Sequence, residues 1–279
     1  MKTKTPLVSV CIPVYNGERF IAATIESVLR QTLTDFELII VDDNSADRSL
    51  EIISAYNDDR LRVISNDRNL GPEGNWNRCL KESKGFYLKL LPQDDVLAPT
   101  CLAQQATILD QDGEKRIALV FCSRTIIDAK GDVLMSRGYL SRHKGAISGQ
   151  RLIRRCLCFG TNLIGEPGSV LFRRDMVEVV GLFDASCPYV IDLDYWFRLL
   201  LLGDGYYLPE RLASFRVSTD SWSVAIGGKQ SSEFSRFVTK ISSNPDFQIR
   251  DIDILMAKLM AHFNSVMRML IYRFVLKRG

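Results

Sequence analysis

Apolar residues follow two rhythms along the first 122 residues. Runs 8–12 and 38–41 are almost unbroken apolar stretches, and 86–91 and 117–122 read similarly, as strands covered on both faces must. Between the first two, Phe20, Ile21, Ile25, Val28 and Leu29 recur at helical spacing behind Asn16, a residue type that caps helices. Strands alternating with helical crossovers predict an α/β fold with four parallel strands in its central sheet. From residue 123 the rhythm changes. Residues 125–128, then Gly131-Asp132, then 133–135 read as a hairpin, so the second half of the sheet is expected to be mixed. Residues 137–155 carry six Lys or Arg and no acid, with Gly, Ser and His interrupting any apolar period, which predicts a basic, mobile connection. Residues 251–279 give the clearest amphipathic helix. Ile252, Leu255, Leu259, Phe263, Val266, Leu270 and Phe274 share one stripe, with five basic residues against two acidic ones, a face for the core, a partner or a bilayer. The chain thus divides into residues 1–122, residues 123–245 of the same domain, and a C-terminal segment 246–279.

Composition narrows the class. At 279 residues, 46% hydrophobic and 25% charged, the chain can bury a sizeable core, and disorder is excluded. The 36 basic residues nearly balance the 33 acidic ones, for a net charge of +3, so no nucleic-acid partner is expected. The best candidate for a spanning helix, 259–276, is interrupted by His262, Arg268 and Arg273, and the first apolar run stops at Pro13 without the features of a signal peptide. Seven scattered cysteines without a Cys-x-x-Cys pair argue against a disulfide framework or a structural zinc site, and a cytoplasmic setting fits. His143 and His262 stand in no metal spacing.

Three acidic clusters carry the candidate chemistry. Asp42-Asp43 follows the second apolar run directly, at the carboxyl edge of the expected sheet where open α/β folds bind ligands. Strand alternation gives the two side chains different jobs, and one or both could simply tie down the turn. Asp94-Asp95 follows the third run, between Pro92 and Pro99. Adjacent carboxylates at a strand end suit Mg2+ or Mn2+, which usually completes its shell with waters and substrate phosphates, so a diphosphate ligand is implied. The third cluster is Asp192-Leu193-Asp194, ahead of the helical stripe of Trp196, Phe197, Leu200 and Leu201. Two residues apart on a helix cannot share one site. Asp194 has Arg198 four residues on as an ion-pair partner, and Asp192 is placed like an N-cap.

These segments carry a resemblance. PVYNGERFIAATIESVLRQT, FELIIVDDNSAD, NLGPEGN, KGFYLKLLPQDD and DLDYWFRL stand in the order and spacing of the family-2 inverting glycosyltransferases, nucleotide-sugar enzymes of the GT-A fold, from about residue 8 to 237. The resemblance implies a nucleotide-sugar-binding half over 1–122 and an acceptor-binding, catalytic-base half over 123–245. By position, Pro13, Val14 and Tyr15 look like the loop holding base and ribose, and Asp43 like the carboxylate accepting a hydrogen bond from the base. Asp94 looks like the residue near ribose and diphosphate, Asp95 like the principal ligand of Mn2+ or Mg2+, and Asp192 like the catalytic base. Glu166 and Gly168 lie where relatives shape the acceptor pocket. Trp222, within 221–228, belongs to a candidate lid over the donor. The implied partners are a UDP-sugar donor and a glycan or lipid-linked saccharide acceptor, in bacterial surface polysaccharide synthesis. A lipid-linked acceptor would place the chain at the inner face of the plasma membrane, with residues 137–155 and the last helix as peripheral contacts.

Two departures from the family pattern are visible. Ile191 replaces the acidic residue that often precedes the base, and Phe215-Arg216-Val217-Ser218 ends without the frequent His. Asn75-Trp76-Asn77-Arg78 also differs from the usual helix motif. They motivate an alternative, a nucleotide-sugar-binding protein with decayed catalysis. A nicotinamide enzyme lacks its glycine fingerprint after the first strand, and an Asp-nucleophile phosphatase lacks its Asp there.

Overall fold

A computed structural model describes residues 5–218 and 229–275, with side chains through residue 267. Its ten strands form one sheet in the order β3-β2-β1-β4-β9-β6-β10-β5, with β7 added to β6 and β8 to β10. The four expected strands are β1 (Val8–Val14), β2 (Phe36–Asp42), β4 (Tyr87–Leu90) and β6 (Ile117–Ile127). β3 (Leu61–Ser65) adds a fifth parallel strand at the edge beside β2. It escaped the sequence pattern because its residues are only partly covered and Arg62 interrupts the apolar run.

β4 and β6 point the same way but do not touch, because β9 (Val170–Arg173) lies antiparallel between them. β10 (Asp204–Arg216) runs parallel to β6, while β5 (Val96–Leu97) and β8 (Gly145–Ile147) pair antiparallel with β10. The expected hairpin is present, with β7 (Val133–Arg137) folding back on β6.

Alternation on the buried strands sorts two apolar layers. Val8, Val10, Ile12 and Val14, with Leu38 and Ile40, face α1 (Ile21–Leu29), α2 (Ser49–Ser54) and α4 (Cys101–Gln111). Cys11, Ile39, Val41, Leu119 and Phe121 face the other layer, built on α3 (Gly71–Glu82), α5 (Gly149–Phe159), α7 (Ile191–Leu200) and α8 (Gln230–Ser242). A short α6 (Val177–Val180) precedes α7, and α9 (Asp251–Val275) closes the described chain.

Two expectations are corrected, and one alternative left open by the sequence is narrowed. Residues 137–155 are not a loose connection: β8 pairs with β10, and α5 starts at a Ser148 cap and buries Leu152, Ile153, Cys156 and Leu157. Basic residues masked the period because Arg151, Arg154 and Arg155 occupy the outer turns of an otherwise core-facing helix. Asn16 does not cap α1. It adopts φ 49° and its Oδ1 accepts from the Ala46 amide, tying two loops together. The stripe on α9 is turned away from the core: Ile252, Leu255, Leu259, Phe263 and Val266 are exposed, whereas Asp253, Ala257, Ala261 and Ser265 are buried.

α9 crosses the end of α5 at very close range. Gly160 closes α5 in the left-handed region at φ 57°, and a β-carbon there would lie 2.4 Å from the Ala261 nitrogen and 2.6 Å from the Met260 carbonyl carbon. Asn264 Nδ2 then donates to the Phe159 and Gly160 oxygens, satisfying carbonyls the helix end leaves open. Gly160→Ala should therefore cost roughly 2 kcal/mol or more, from backbone strain plus displacement of α9. Gly113→Ala, where a β-carbon meets nothing within 4 Å, should be near neutral. Urea unfolding of the two variants checks this.

Candidate functional site

The parallel strands β1, β2, β4, β6 and β10 all end at one edge of the sheet, and the acidic clusters collect there. Pro13 and Val14 are buried at the end of β1, and Tyr15 emerges half exposed. The Asp43 amide donates to Val14 O at 2.7 Å, joining the two strand ends. Asp43 Oδ1 accepts from Asn66 Nδ2 and the Leu70 amide, both at 2.8 Å, and Oδ2 from the Gly71 amide at 3.0 Å. Three bonds leave a carboxylate with one acceptor position to spare. Asp42 is fully buried, with Oδ2 accepting from the Ser45 amide and Oδ1 without a hydrogen-bond partner. The two neighbours therefore do separate jobs, as alternation requires. Asn75, on α3, donates to the Val41 carbonyl at 3.1 Å and accepts from Asn66, while Asn77 exchanges bonds with the Phe183 backbone. Both residues of that divergent motif serve the scaffold.

Gln93 fastens this donor-side loop to the acid pair. Its Oε1 accepts from the Tyr15 amide at 2.8 Å and its Nε2 donates to Tyr15 O at 3.1 Å. Asp95 is buried at 2% exposure, with Oδ1 accepting from the Arg216 amide at 3.0 Å, and Arg216 Nε donates to Asp94 O at 2.9 Å. The Arg216 guanidinium also stacks 4.6 Å over the Phe20 ring. Burial pushes the Asp94 carboxyl up to about 6 against the pull of Arg216. Burial, then the adjacent Asp94, raises Asp95 well above the usual carboxylate range. Two desolvated carboxylates that favour protons lack enough positive charge, which is the donor chemistry a hard divalent cation satisfies. Among the described residues no group of three or more His, Cys, Asp or Glu is arranged to hold a metal, so a cation here would draw its remaining ligands from substrate and water.

Residues 162–169 run from this pair to Asp192. Gly168 has ordinary backbone angles. Its missing side chain lets the turn Pro167–Ser169 press on Leu91 and Asp95, since a β-carbon would sit 3.1 Å from Leu91 Cδ1 and 3.4 Å from Asp95 Oδ2. Buried Lys89 holds that turn, its Nζ donating to Gly168 O at 2.8 Å and Val170 O at 3.0 Å. Glu166 pairs with buried Arg124, and although burial raises its carboxyl, Arg124 and Arg137 bring it below its ordinary value.

Asp192 does not cap its helix. It lies in the first turn of α7, where Oδ1 accepts from the Leu193 amide and Oδ2 from Asn162 Nδ2 at 2.9 Å. Asn162 also donates to Gly165 O, and Trp196 Nε1 donates to the same carbonyl at 3.1 Å, so the indole and the amide fix the loop beside the acid. Burial, then the Glu166 charge, pushes Asp192 up to about 7. Asp194 has the ion pair expected of it, 2.8 Å from Arg198 Nε, and a second with Lys240.

The structure therefore places Pro13, Val14, Tyr15, Asp43, Asp94, Asp95, Glu166, Gly168 and Asp192 along the edge where the parallel strands end, linked through Gln93 and the 162–169 loop. Trp222 and the lid segment lie outside the described residues. Gln93, Asn162, Arg124 and Lys89 were missed, because an amide or a lone cation inside an apolar run carries no spacing signal.

Known proteins resemble the chain in sequence and in fold. The profile of glycosyl transferase family 2 matches residues 9–181. An uncharacterized glycosyltransferase, RT0329 of Rickettsia typhi, is 32% identical over 221 residues, covering 77% of this chain and 65% of that protein. Chondroitin synthase of Escherichia coli is 36% identical over 138 residues, 49% of this chain and 20% of the synthase. The chain spans just under two thirds of the length of the first curated relatives it matches, at 66%, 65% and 64%. The crystal structure of S. aureus TarS 1–349 in complex with UDP-GlcNAc superposes with a TM-score of 0.71 at 19% identity, over 92% of this chain and 72% of that one, a likeness of fold. By the extent of the profile match and by its fold, this chain belongs to glycosyl transferase family 2.

Proposed function

We propose that the chain transfers a sugar from a nucleoside diphosphate donor, UDP-linked, to a hydroxyl of a glycan or lipid-linked saccharide acceptor, with inversion, in building a bacterial surface polysaccharide. The observation that carries this reading is the placement of Asp95 and Asp192 at opposite ends of one short loop, 162–169, whose residues touch both. The UDP-GlcNAc complex of TarS and the chondroitin synthase relative support the donor class and the glycan setting.

In this mechanism Tyr15 and the spare acceptor position of Asp43 hold the nucleoside, with Gln93 keeping that loop in register with the acid pair. Asp95, with Asp94 beside it, would hold Mn2+ or Mg2+, which supplies positive charge as the diphosphate departs. Asp192 accepts the proton of the acceptor hydroxyl while that oxygen attacks the anomeric carbon from the side opposite the diphosphate. A single displacement inverts the anomeric centre, and no enzymatic nucleophile is needed. Asn162 and the Leu193 amide keep the Asp192 carboxylate aimed.

Asp192 is the base only when ionised. Its carboxyl is raised by burial and Glu166, partly offset by Arg124. kcat/KM should therefore rise with pH below about 7 and level above it. Asp192→Asn should lower turnover about 10²-fold or more while sparing UDP affinity. If Asp192→Asn leaves turnover unchanged, Asp192 is not the base; if the unaltered chain binds UDP but never turns over, the decayed-catalysis alternative stands.

Asp95→Asn tests the cation. In the unaltered protein, Mn2+ should enlarge the UDP-induced rise in melting temperature, because a ligand of the folded state stabilises it. Asp95→Asn should abolish that increment and keep the melting temperature of the protein alone.

A further inference from the structure

The geometry points to an interaction surface on α9 that docks onto an anionic phospholipid bilayer, with lipid phosphates received by an arginine-lined cavity at its first turn. The outward face of α9 carries Ile252 at 53% exposure, Leu255 at 62%, Leu259 at 63% and Phe263 at 57%, followed by Val266 and Met267. These positions recur every three or four residues. They form a continuous apolar stripe opposite the buried Ala257 and Ala261, not the scattered exposed residues of an ordinary surface.

Charge selects the occupant. From Ile254 to the last residue the sequence has no Asp or Glu and five Lys or Arg. Lys258 and His262 are exposed on α9 beside the stripe. A second copy of this helix would add a second set of these lysines and arginines with no acid beyond Asp253 to pair them, whereas an anionic lipid surface complements them.

A second observation concerns the groove between α5 and α9. A cavity of about 400 Å³ there is lined by Arg151, Arg154, Arg155, Arg250 and Asp253, among others. Asp253 pairs with Arg250 through two bonds of 2.9 Å and also faces the charge of Arg154, whose Nη2 donates to Gln248 O at 3.5 Å. Arg154 Nε is buried without an acceptor. Planar donors with capacity to spare are suited to phosphate oxygens, and this cavity borders the turn where the apolar stripe begins.

The orientation that follows suits the acidic edge of the sheet. α5 and α9 run in the same direction, since Arg154 lies by Asp253 and Gly160 by Ala261, and α5 ends next to Asn162, which bonds Asp192. A bilayer against α9 would therefore run alongside the path from the arginine cavity to the catalytic edge.

The test is vesicle flotation with the full chain. Binding is expected to vesicles of equal parts phosphatidylglycerol and phosphatidylcholine. It should be weak on phosphatidylcholine alone, and should fall in about 1 M salt, where the Debye length is about 3 Å. Leu259→Glu with Phe263→Glu should reduce binding about tenfold or more, with an unchanged melting curve because both side chains are exposed. Arg151→Gln with Arg155→Gln should reduce it roughly fivefold per charge and flatten the salt dependence. The inference is overturned if the protein stays unbound, or binds both vesicle types equally. It is also overturned if light scattering shows an oligomer that Leu259→Glu with Phe263→Glu converts to monomers without any effect on vesicles. None of these readouts depends on sugar transfer, so the outcome is independent of the catalytic reading.

Discussion

Crowding of carboxylates at a single sheet edge is the constraint around which this structure is built. Asp42, Asp43, Asp94, Asp95, Glu166 and Asp192 all lie along the edge where the parallel strands end, and three of them are almost fully buried. Burial opposes the ionised forms of Asp94, Asp95 and Asp192, and a neighbouring acid adds to it at Asp95 and Asp192. The fold answers with cations drawn from the sheet itself. Arg124 comes from β6 and Arg216 from the end of β10. The compensation is incomplete, as the raised proton affinities of Asp94, Asp95 and Asp192 show, and the proposed cation and base roles both draw on that deficit.

Positioning along this edge falls to neutral amides. Asn66 and Asn75 brace Asp43, Gln93 clamps Tyr15, Gln105 donates to the Ser169 carbonyl, and Asn162 aims Asp192. An amide donates and accepts at once, so it can bridge two loops without adding charge to a site already overcharged. A Lys or Glu in the same places would alter the protonation of its neighbours as well as their geometry.

Much of this was legible in the chain. Buried parallel strands announce themselves as apolar runs, and acids placed directly behind two of them marked the sheet edge before any coordinates. What stayed hidden was non-local. β3 and β9 are short, and β9 is specified by partners on both sides, not by its own four residues. The helix α5 is obscured in the sequence because its polar face is arginine-rich, and a run of charge hides the apolar period beneath it. The stripe on α9 was visible, but periodicity alone gives the angle between apolar residues, not which side of the helix the core takes. The core took the side carrying Ala257 and Ala261, where the helix backbone at Met260 and Ala261 crosses Gly160 at close range.

β9 is entered from the acidic edge, immediately after the turn that touches Asp95. Its Leu171 belongs to one apolar layer, and Val170 and Phe172 to the other. An inserted or deleted residue in that turn would slip β9 by one position and send each of these side chains to the wrong layer. Length variation among descendants of this sequence is thus barred beside the acids and constrained even at the Asp128–Asp132 hairpin tip, whose Asp128 and Ala129 carbonyls accept from Arg216 Nη1. Divergence in what such a chain accepts would proceed by side-chain replacement near the acids and by loop growth at a distance from them.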